Sequence, residues 1–387
     1  MTVCVVAPAA GWRGGIHQYS AHLANSLADR VAVEVVGYRR LFPLWLYPGR
    51  SKRVAGEVAL RPTIGVHPVL AYSSPWSALR AARLIAERIR PRVVDVQWLA
   101  PLHGLVLAPL MARLRDRAGV PVVLTVHNVV PHERRPFDTV LSRRAFAAAE
   151  RLVVHAAALK GELVRRFRVD PARVAVVPHA PCAAAECALT PAEARARLGI
   201  DGERVVLFFG FVRPYKGLDQ LLAAFRTVVA AVPDVVLVIA GEFFRGLDAC
   251  RRELARTGLA RHTHLVPRYI PYDEVGLFFR AADVVVQPYV RFAGQSGVTQ
   301  TAYLHAVPVV ATDVGGLAEL VLDGKTGLVV PPRDPDALAR ALVALLTDEA
   351  RRREYGLAGR RFLVEELAWD RTVERLLELY AAVAPAP

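Results

Sequence analysis

Short apolar runs alternate with amphipathic helical stretches along this chain, and the alternation limits the folds that it can adopt. Val205–Phe209 is a run of β-branched and aromatic residues that ends at Gly210. From Leu218 onward, apolar residues recur at the three- and four-residue spacing of a helix. The same pattern begins at Val3–Ala7 and recurs along most of the chain. Apolar strands separated by helices are typical of parallel sheets covered on both faces, so the sequence predicts a doubly wound α/β fold.

The length of the chain predicts two domains of this kind. At 387 residues it exceeds the size of one ordinary hydrophobic core. We predict a first domain over residues 1–180 and a second over residues 204–365. A proline- and alanine-rich stretch at 181–203, with a short helix at Pro191–Leu198, is predicted to be a linker. Residues 366–387 form a last helical segment.

The composition is that of a globular cytoplasmic protein. Hydrophobic residues make up 53% of the chain and charged residues 22%. The four cysteines are scattered, which fits a reducing compartment. Cys182 and Cys187 are close in sequence, but no second cluster completes a zinc site, so we predict no metal ion. The first residues resemble a strand more than a signal peptide, and the longest uncharged run, Val96–Ala112, is interrupted by prolines and polar residues, unlike a membrane span.

The net charge of +14 is concentrated in the first half of the chain. Residues 1–185 contain 26 Lys and Arg against 11 Asp and Glu, a balance of +15, so the remainder carries −1. Nucleic acid, anionic lipid and a phosphorylated substrate are the candidate partners for such a basic half. The sequence has no RNP-type aromatic motif and no metal finger, so nucleic acid is not predicted.

Tyr38–Arg53 combines aromatic and basic residues in a stretch that fits neither a helix nor a strand, because Pro43 and Pro48 interrupt it. Trp45 and Leu46 lie near its centre. The basic residues around them are Arg39, Arg40, Arg50, Lys52 and Arg53. Such a mixture suits an anionic membrane surface or a lipid acceptor. A loop packed against its own domain is the equal alternative.

The junction between Gly210 and Leu218 places two cations, Arg213 and Lys216, where a strand leads into a helix. The first backbone N–H groups of a helix are unpaired, and the helix dipole is positive there. A guanidinium and an ammonium at the same position would bind a doubly charged phosphate. A solvated basic loop is the alternative that these residues leave open.

Two further candidate sites lie in the first half. Gly14 and Gly15 precede a helix, where adjacent glycines let the backbone approach a ligand, although a tight turn alone is as plausible. Their spacing is not that of a dinucleotide-binding loop, so NAD is not indicated. His127 follows the strand Val120–Val126 at its carboxyl end, where ligands of α/β sheets bind. The weaker candidates in the same loop are His132 and Glu133.

Several segments together resemble one enzyme family, the retaining glycosyltransferases of family 4. The segments are FGFVRPYKG (209–217), RYIPYDEV (268–275), AADVVVQPY (281–289), PVVATDVGGLAELV (308–321) and DGKTGLVVPP (323–332). RGGIHQY (13–19) and VHNVVPHE (126–133) resemble that family's glycine loop and its histidine segment, and Trp369–Leu379 resembles its last helix. The resemblance implies the GT-B fold. In that fold two Rossmann-like doubly wound domains face a cleft, and a C-terminal helix crosses back to the first domain.

The resemblance implies transfer of a sugar from a nucleotide sugar to a polysaccharide- or glycolipid-type acceptor, with retention of configuration and without a metal or other cofactor. It assigns the leaving diphosphate to Lys216 and Arg213, and the donor sugar to His127. The family's usual arginine, directly after the glycine, is Phe211 here. The remaining donor-binding positions that it implies are Gly14, Gly15, Gly210, Glu242, Tyr269, Ile270, Gly294, Gln295, Ser296, Gly297, Val298, Gln300 and Thr301.

One departure from the family pattern leaves alternatives open. Many members carry two glutamates eight positions apart, and these positions are Ala293 and Thr301 here. The neighbouring polar residues can hydrogen-bond hydroxyl groups without a charge. A catalytically idle binding subunit with the same fold is therefore an alternative. A GT-B epimerase is a further one, but the sequence lacks the acid–base groups that it would need.

Overall fold

The computed structural model describes residues 1–8, 15–41, 58–130, 136–182, 186–292, 294 and 296–384. The chain folds into two compact units. The first unit is built from residues 1–182 and 367–387, and the second from residues 183–292 and 296–366. Within the described ranges, no helix is both long enough and apolar enough to cross a membrane.

The first unit contains a seven-stranded parallel sheet in the order β3-β2-β1-β4-β5-β6-β7. Its strands are β1 (Thr2–Val6), β2 (Ala32–Arg40), β3 (Gly65–Ala71), β4 (Val93–Trp98), β5 (Val122–Val126), β6 (Arg151–Val154) and β7 (Val174–Val176). The helices between them are α1 (Gly15–Leu27), α2 (Pro75–Arg83), α3 (Gly104–Ala118), α4 (Asp138–Ala148) and α5 (Ala157–Phe167). A π-helical segment, Leu84–Ile89, continues α2.

Both faces of this sheet are buried, as strand β1 shows. Val3 and Val5 pack in a cluster with α1, whereas Cys4 and Val6 pack on the other face with residues of α2 to α5. Alternate residues of a strand point to opposite faces, and here both sets are apolar. This is why the strands of the chain are continuous apolar runs.

The second unit contains a six-stranded parallel sheet in the order β10-β9-β8-β11-β12-β13. Its strands are β8 (Arg204–Phe209), β9 (Val235–Ala240), β10 (Thr263–Val266), β11 (Val284–Gln287), β12 (Val309–Thr312) and β13 (Gly327–Val330). Its helices are α6 (Pro191–Leu198), α7 (Leu218–Ala231), α8 (Leu247–Thr257), α9 (Tyr272–Ala281), α10 (Gly297–Leu304), α11 (Leu317–Leu320), α12 (Pro335–Thr347) and α13 (Glu349–Glu366).

The last helix, α14 (Trp369–Val383), returns to the first unit. Trp369 donates a hydrogen bond from Nε1 to Pro181 O at 2.8 Å, and Tyr380 donates one from its hydroxyl to Asp95 Oδ2 at 2.5 Å. The α/β class, the two doubly wound parallel sheets and the returning helix are confirmed.

Two details differ from the sequence interpretation. Tyr38–Arg40 was assigned to an irregular stretch, but it continues β2, because the edge strand β3 pairs with it. Helix α6 was assigned to the linker, but it lies in the second unit. There Arg195 pairs with Asp283 at 2.7 Å and donates a hydrogen bond to Ala281 O.

Candidate functional site

The second sheet brings two loops together at the point where its strand order reverses. Strands β8 and β11 are neighbours but are not consecutive in the chain. Ligands of open α/β sheets bind at the carboxyl ends of strands at such a point. The loop after β8 leads to Gly217, and the segment after β11 begins at Pro288. Val290 N donates a hydrogen bond to Tyr215 O at 2.9 Å, which joins the two segments.

Gly217 permits the close approach of these segments. Its φ is +68°, and a Cβ atom there would lie 1.9 Å from Pro288 O. Any other residue would both strain the backbone and collide with that carbonyl. Gly210, with φ +93°, has a related role, because its Cβ would lie 2.9 Å from Lys216 Nζ. Gly210 therefore leaves space for the ammonium of Lys216 at the end of β8.

Lys216 is a buried cation. Its side chain lies in a 3₁₀ turn, Pro214–Lys216, and only 7% of the residue is exposed. Nζ donates a hydrogen bond to Phe209 O at 3.2 Å and lies 5.5 Å from the centroid of the Tyr289 ring. Among the described residues it forms no ion pair. Burial lowers the pKa of this ammonium, and the charge of Arg213 lowers it further. A buried cation in such surroundings favours the binding of an anion.

Arg213 is the second cation of this loop and lies among aromatic rings. Its guanidinium carbon is 3.8 Å from the centroid of Phe244, a distance typical of a cation–π contact. Phe211 contacts the same ring edge-on at a centroid distance of 5.6 Å and lies 6.2 Å from Tyr269. Each cation of this loop therefore lies near an aromatic ring from another segment, Arg213 near Phe244 and Lys216 near Tyr289.

The polar segment that replaces the expected glutamates is hydrogen-bonded to the end of β11. The buried Gln287 donates from Nε2 to the hydroxyls of Ser296 and Tyr289, and its Oε1 accepts from Thr299. Thr301 donates from its hydroxyl to Gly297 O at 2.8 Å, one turn earlier in α10. Gln287 and Tyr289 were not among the predicted site residues. A polar residue at the end of the apolar run VVVQ was the signal that could have identified Gln287.

The remaining predicted residues of the second half follow the carboxyl ends of the same parallel strands. Glu242 follows β9, and Tyr269 and Ile270 follow β10. The residues at the start of α10 or close to it are Gly294, Ser296, Gly297, Val298, Gln300 and Thr301. In the first unit, Gly15 begins α1. The predicted positions outside the described residues are Gly14, His132, Glu133, Ala293 and Gln295.

His127 lies in a buried polar cluster of the first unit. It follows β5 directly, and 6% of the residue is exposed. Its Nε2 is 2.8 Å from Gln97 Oε1, and its Nδ1 is 3.3 Å from His155 Nε2. Desolvation by burial holds its pKa well below the ordinary value, so the ring is neutral near pH 7. Its contact with a donor sugar stays a prediction.

Three features of this chain define the GT-B class of glycosyltransferases. They are two doubly wound parallel sheets, a cationic glycine loop at the reversal point of the second sheet, and a last helix that returns to the first unit. Comparison with known proteins identifies the family. The description "Glycosyltransferase Family 4" matches residues 13–180, and "Glycosyl transferases group 1" matches residues 203–348. The chain is 32% identical over 418 residues to the D-inositol 3-phosphate glycosyltransferase of Geodermatophilus obscurus, covering 97% of this chain and 86% of that one. The chain belongs to glycosyltransferase family 4.

One further relative and two solved structures are also similar to this chain. The alpha-maltose-1-phosphate synthase of Mycolicibacterium smegmatis is 32% identical over 296 residues, covering 69% of this chain and 74% of that one. The sucrose-phosphate synthase of Thermosynechococcus elongatus has the same fold, with a TM-score of 0.73, 20% identity and coverage of 99% and 98%. The Anabaena protein HepE, in complex with UDP and glucose, has a TM-score of 0.74 at 14% identity, with coverage of 99% and 100%.

Proposed function

We propose that this glycosyltransferase moves a sugar from a nucleoside diphosphate sugar to a phosphate-bearing acceptor, with retention of anomeric configuration. The observation that carries the proposal is Lys216, a buried ammonium that forms no ion pair among the described residues and sits at the carboxyl end of β8. A diphosphate is the anion that such a loop would bind. HepE, which shares the fold, was solved with UDP-glucose.

The chemistry follows from where charge develops. The bond from the anomeric carbon to the β-phosphate oxygen breaks, and its electron pair stays on that oxygen. The acceptor hydroxyl forms the new bond on the same face of the sugar, and its proton goes to the leaving phosphate. Lys216 and Arg213 would stabilise the charge on the diphosphate as it leaves. Because these cations are fixed in the protein, we propose that transfer needs no divalent metal.

The other predicted residues would hold the nucleotide and the sugar. Tyr269 and Ile270 would contact the base through their backbone, and Gln300 and Thr301 would hydrogen-bond the ribose in place of a glutamate. His127 would contact the donor sugar. The glycines of the predicted site would contribute backbone N–H groups to the phosphates.

The acceptor proposal rests on charge. The excess of positive charge lies in residues 1–185, the half that carries the acceptor in the resembling family. The names of the relatives, D-inositol 3-phosphate glycosyltransferase and alpha-maltose-1-phosphate synthase, refer to phosphorylated sugars or polyols. A lipid-linked sugar phosphate, as in polysaccharide or glycolipid assembly, would fit the same charge.

A donor screen tests the function. The protein is incubated with UDP-, ADP-, GDP- and dTDP-sugars, with and without phosphorylated and unphosphorylated acceptors, at varied Mg²⁺. We expect nucleoside diphosphate release that needs a phosphorylated acceptor and no added Mg²⁺, and a product whose NMR couplings show the donor's anomeric configuration. An inverted product would overturn retention. Nucleotide binding without turnover of any donor would indicate an idle subunit, and isomerisation of the donor sugar would indicate an epimerase.

A further inference from the structure

Ser296 stands at the N-cap position of α10 but does not cap the helix. Its backbone is extended, with φ −105° and ψ 113°, and its side chain forms no hydrogen bond to the first turn. Serine is among the residues preferred at this position, because its hydroxyl oxygen accepts from the N–H group of the second or third helical residue. The residue type and the backbone are therefore those of a cap, whereas the hydroxyl is turned away from the helix.

Gln287 is the residue that holds this hydroxyl in another direction. It ends β11, is completely buried, and donates a hydrogen bond from Nε2 to Ser296 Oγ at 2.5 Å. The hydroxyl of Tyr289 is hydrogen-bonded to both side chains. The Oε1 atom of Gln287 accepts from the hydroxyl of Thr299. The hydroxyl of Ser296 is thus directed to β11 and the residues that follow it, and not to α10.

The first turn of α10 is left open as a result. The N–H groups of the first residues of a helix have no partner within the helix, and the helix dipole is positive there. Thr299 N donates to Ser296 O at 3.2 Å, but the N–H groups of Gly297 and Val298 have no acceptor among the described residues. A cap by the Ser296 hydroxyl would occupy the N–H group of Val298.

The segment after β11 also borders the buried ammonium of Lys216. Lys216 Nζ lies 5.5 Å from the centroid of the Tyr289 ring, and the hydroxyl of that ring accepts from Gln287 Nε2 at 3.3 Å. Thr312, at the end of β12, donates to Tyr289 O at 2.6 Å and holds the segment in place. A buried ammonium and an uncapped helix start, both joined to one segment, are complementary to the two anionic groups of a diphosphate.

We propose that Gln287 is a positioning residue for the diphosphate of the donor. It holds the Ser296 hydroxyl away from α10, so that the N–H groups of Gly297 and Val298 are available to the phosphate oxygens together with Lys216. Gln287 itself does not touch the donor. This inference rests on the proposed function, because it names a residue that prepares the proposed donor site.

A double-mutant cycle on Gln287 and Ser296 tests this role. The probe is whichever of UDP, ADP, GDP and dTDP the wild type binds most tightly, titrated calorimetrically. Gln287→Met keeps the length of the side chain but cannot donate, so the Ser296 oxygen is released and can accept from Val298 N. We expect this variant to bind the probe at least about tenfold more weakly, as for a lost hydrogen bond to a charged group.

The second half of the cycle repeats the change in the Ser296→Ala background. Without the hydroxyl no cap can form, so Gln287→Met should weaken binding there by less than about twofold. The presence of Ser296 would then account for most of the affinity that Gln287→Met loses, which a merely structural role of Gln287 does not predict.

Thr299→Val is the matched control. It removes the other side-chain contact of Gln287 and leaves the contact with Ser296 in place. The buried Oε1 of Gln287 loses its donor, so the melting temperature should fall. The affinity for the probe should stay within about twofold of the wild type. If Gln287 were needed for stability alone, both variants would lose affinity as they lose stability.

Gly297→Pro tests the open turn directly and does not depend on the folding of Gln287→Met. Proline is tolerated at the first position of a helix, and Ser296 already has the extended backbone that a residue before proline adopts. A Cβ atom at Gly297 would meet no atom within 4 Å. Loss of this N–H group should weaken binding of the probe by at least about tenfold.

The proposal is overturned if Gln287→Met binds the probe as the wild type does, or if it weakens binding by the same factor with and without Ser296→Ala. A folded Gly297→Pro with wild-type affinity would also overturn it. The proposed function fails separately. A wild type that binds none of the four nucleoside diphosphates would refute the donor site itself, whereas wild-type binding with an additive cycle would refute only the role of Gln287.

Discussion

Burial of the Lys216 ammonium lowers the stability of the folded protein. Its ammonium is buried and has one hydrogen-bond acceptor, Phe209 O, among the described residues. The neighbouring charge of Arg213 repels it and contributes to the lowering of its pKa. A protein retains such a group when a bound anion compensates it, at the expense of stability in the unbound state. The same residue should therefore lower stability and support turnover.

We predict that Lys216→Met lowers turnover by hundreds-fold or more, while the melting temperature of the nucleotide-free protein stays unchanged or rises. Loss of one group that stabilises developing charge raises the barrier by about 3–4 kcal/mol. Removal of an uncompensated buried charge has no corresponding cost for folding. Nucleoside diphosphate release and thermal unfolding measure the two effects.

Lys160 offers a matched control for this prediction. It donates a hydrogen bond to a backbone carbonyl, Val174 O at 2.8 Å, but lies in the first unit. Lys160→Met should keep wild-type turnover. If Lys216→Met turns over as fast as Lys160→Met, Lys216 does not contact the leaving group.

Helix α10 carries the polar residues that would replace the ribose glutamate, and a prediction follows for Thr301. Its hydroxyl hydrogen is donated to Gly297 O, so its oxygen can still accept from a ribose hydroxyl. Thr301→Val should weaken nucleotide binding by about 1 kcal/mol, or about fivefold, as for one neutral hydrogen bond. Calorimetric titration with the nucleoside diphosphate measures this.

The control is Thr257→Val in α8, because Thr257 donates the same kind of bond to Glu253 O one turn earlier. It should leave affinity unchanged. If Thr301→Val and Gln300→Ala both bind the nucleotide as the wild type does, the ribose is held by other residues.

Strand β4 and helix α14 are joined by a buried carboxylate whose titration should be measurable. Asp95 accepts hydrogen bonds from Tyr380, Thr125 and Gln97. Even so, burial raises its pKa from 3.8 to about 6. The folded state therefore holds this proton more tightly than the unfolded state. Below pH 3.8 the protonated carboxyl of Asp95 makes its full contribution to the free energy of unfolding. This contribution is lost as the pH rises to about 6.

We predict that Asp95→Asn removes the loss of stability that the wild type shows as the pH rises. At pH 7 the free energy of unfolding should be higher than that of the wild type by up to about 3 kcal/mol. An asparagine can still accept with its oxygen and can donate to the hydroxyl of Tyr380. Denaturant unfolding at pH 4, 5, 6 and 7 measures the difference. Parallel pH profiles for wild type and variant would contradict the prediction.

The helices and strands that could be predicted from the sequence are those whose pattern of apolar residues lies within one short segment. The predicted runs Val3–Ala7, Val120–Val126 and Val205–Phe209 match β1, β5 and β8 to within two residues at each end, because each is an apolar run with clear ends. The edge strand β3 was missed because GVHPVLA contains a proline and alternates in burial. Helices α4 and α8 were missed because their apolar residues are small or few.

The candidate functional residues were also predictable only where the pattern is local. Arg213 and Lys216, the cations after β8, could be predicted because they are close together in the sequence. The contact of His127 with His155 could not be, because the two residues are 28 positions apart in the sequence and meet only through the pairing of β5 with β6.

At the scale of the whole molecule, the uneven distribution of positive charge along the chain is the property that a partner would recognise. The balance of +15 in residues 1–185 exceeds the net charge of the chain. Arg39 and Arg40, at the end of β2, are exposed. The other residues of the predicted membrane-facing stretch, Trp45, Leu46, Lys52 and Arg53, lie outside the described residues.

We predict that the first unit binds an anionic membrane surface, which would place the enzyme on the cytoplasmic face of the cell membrane. Each basic residue close to such a surface contributes roughly 1 kcal/mol, and the attraction weakens with salt. Reversal of Arg39, Arg40, Lys52 and Arg53 to Glu should abolish sedimentation with anionic vesicles at low salt. Neutral vesicles should not bind the wild type.

A variant with the same change in net charge separates this stretch from a general charge effect. It reverses four exposed arginines of the second unit, which are Arg226, Arg252, Arg261 and Arg353. This variant should bind anionic vesicles nearly as the wild type does, because the reversed charges lie outside the basic half. Absence of wild-type binding at low salt would refute the membrane prediction. If the first variant instead raises the KM for a phosphorylated acceptor when no vesicles are present, these basic residues bind the acceptor's phosphate.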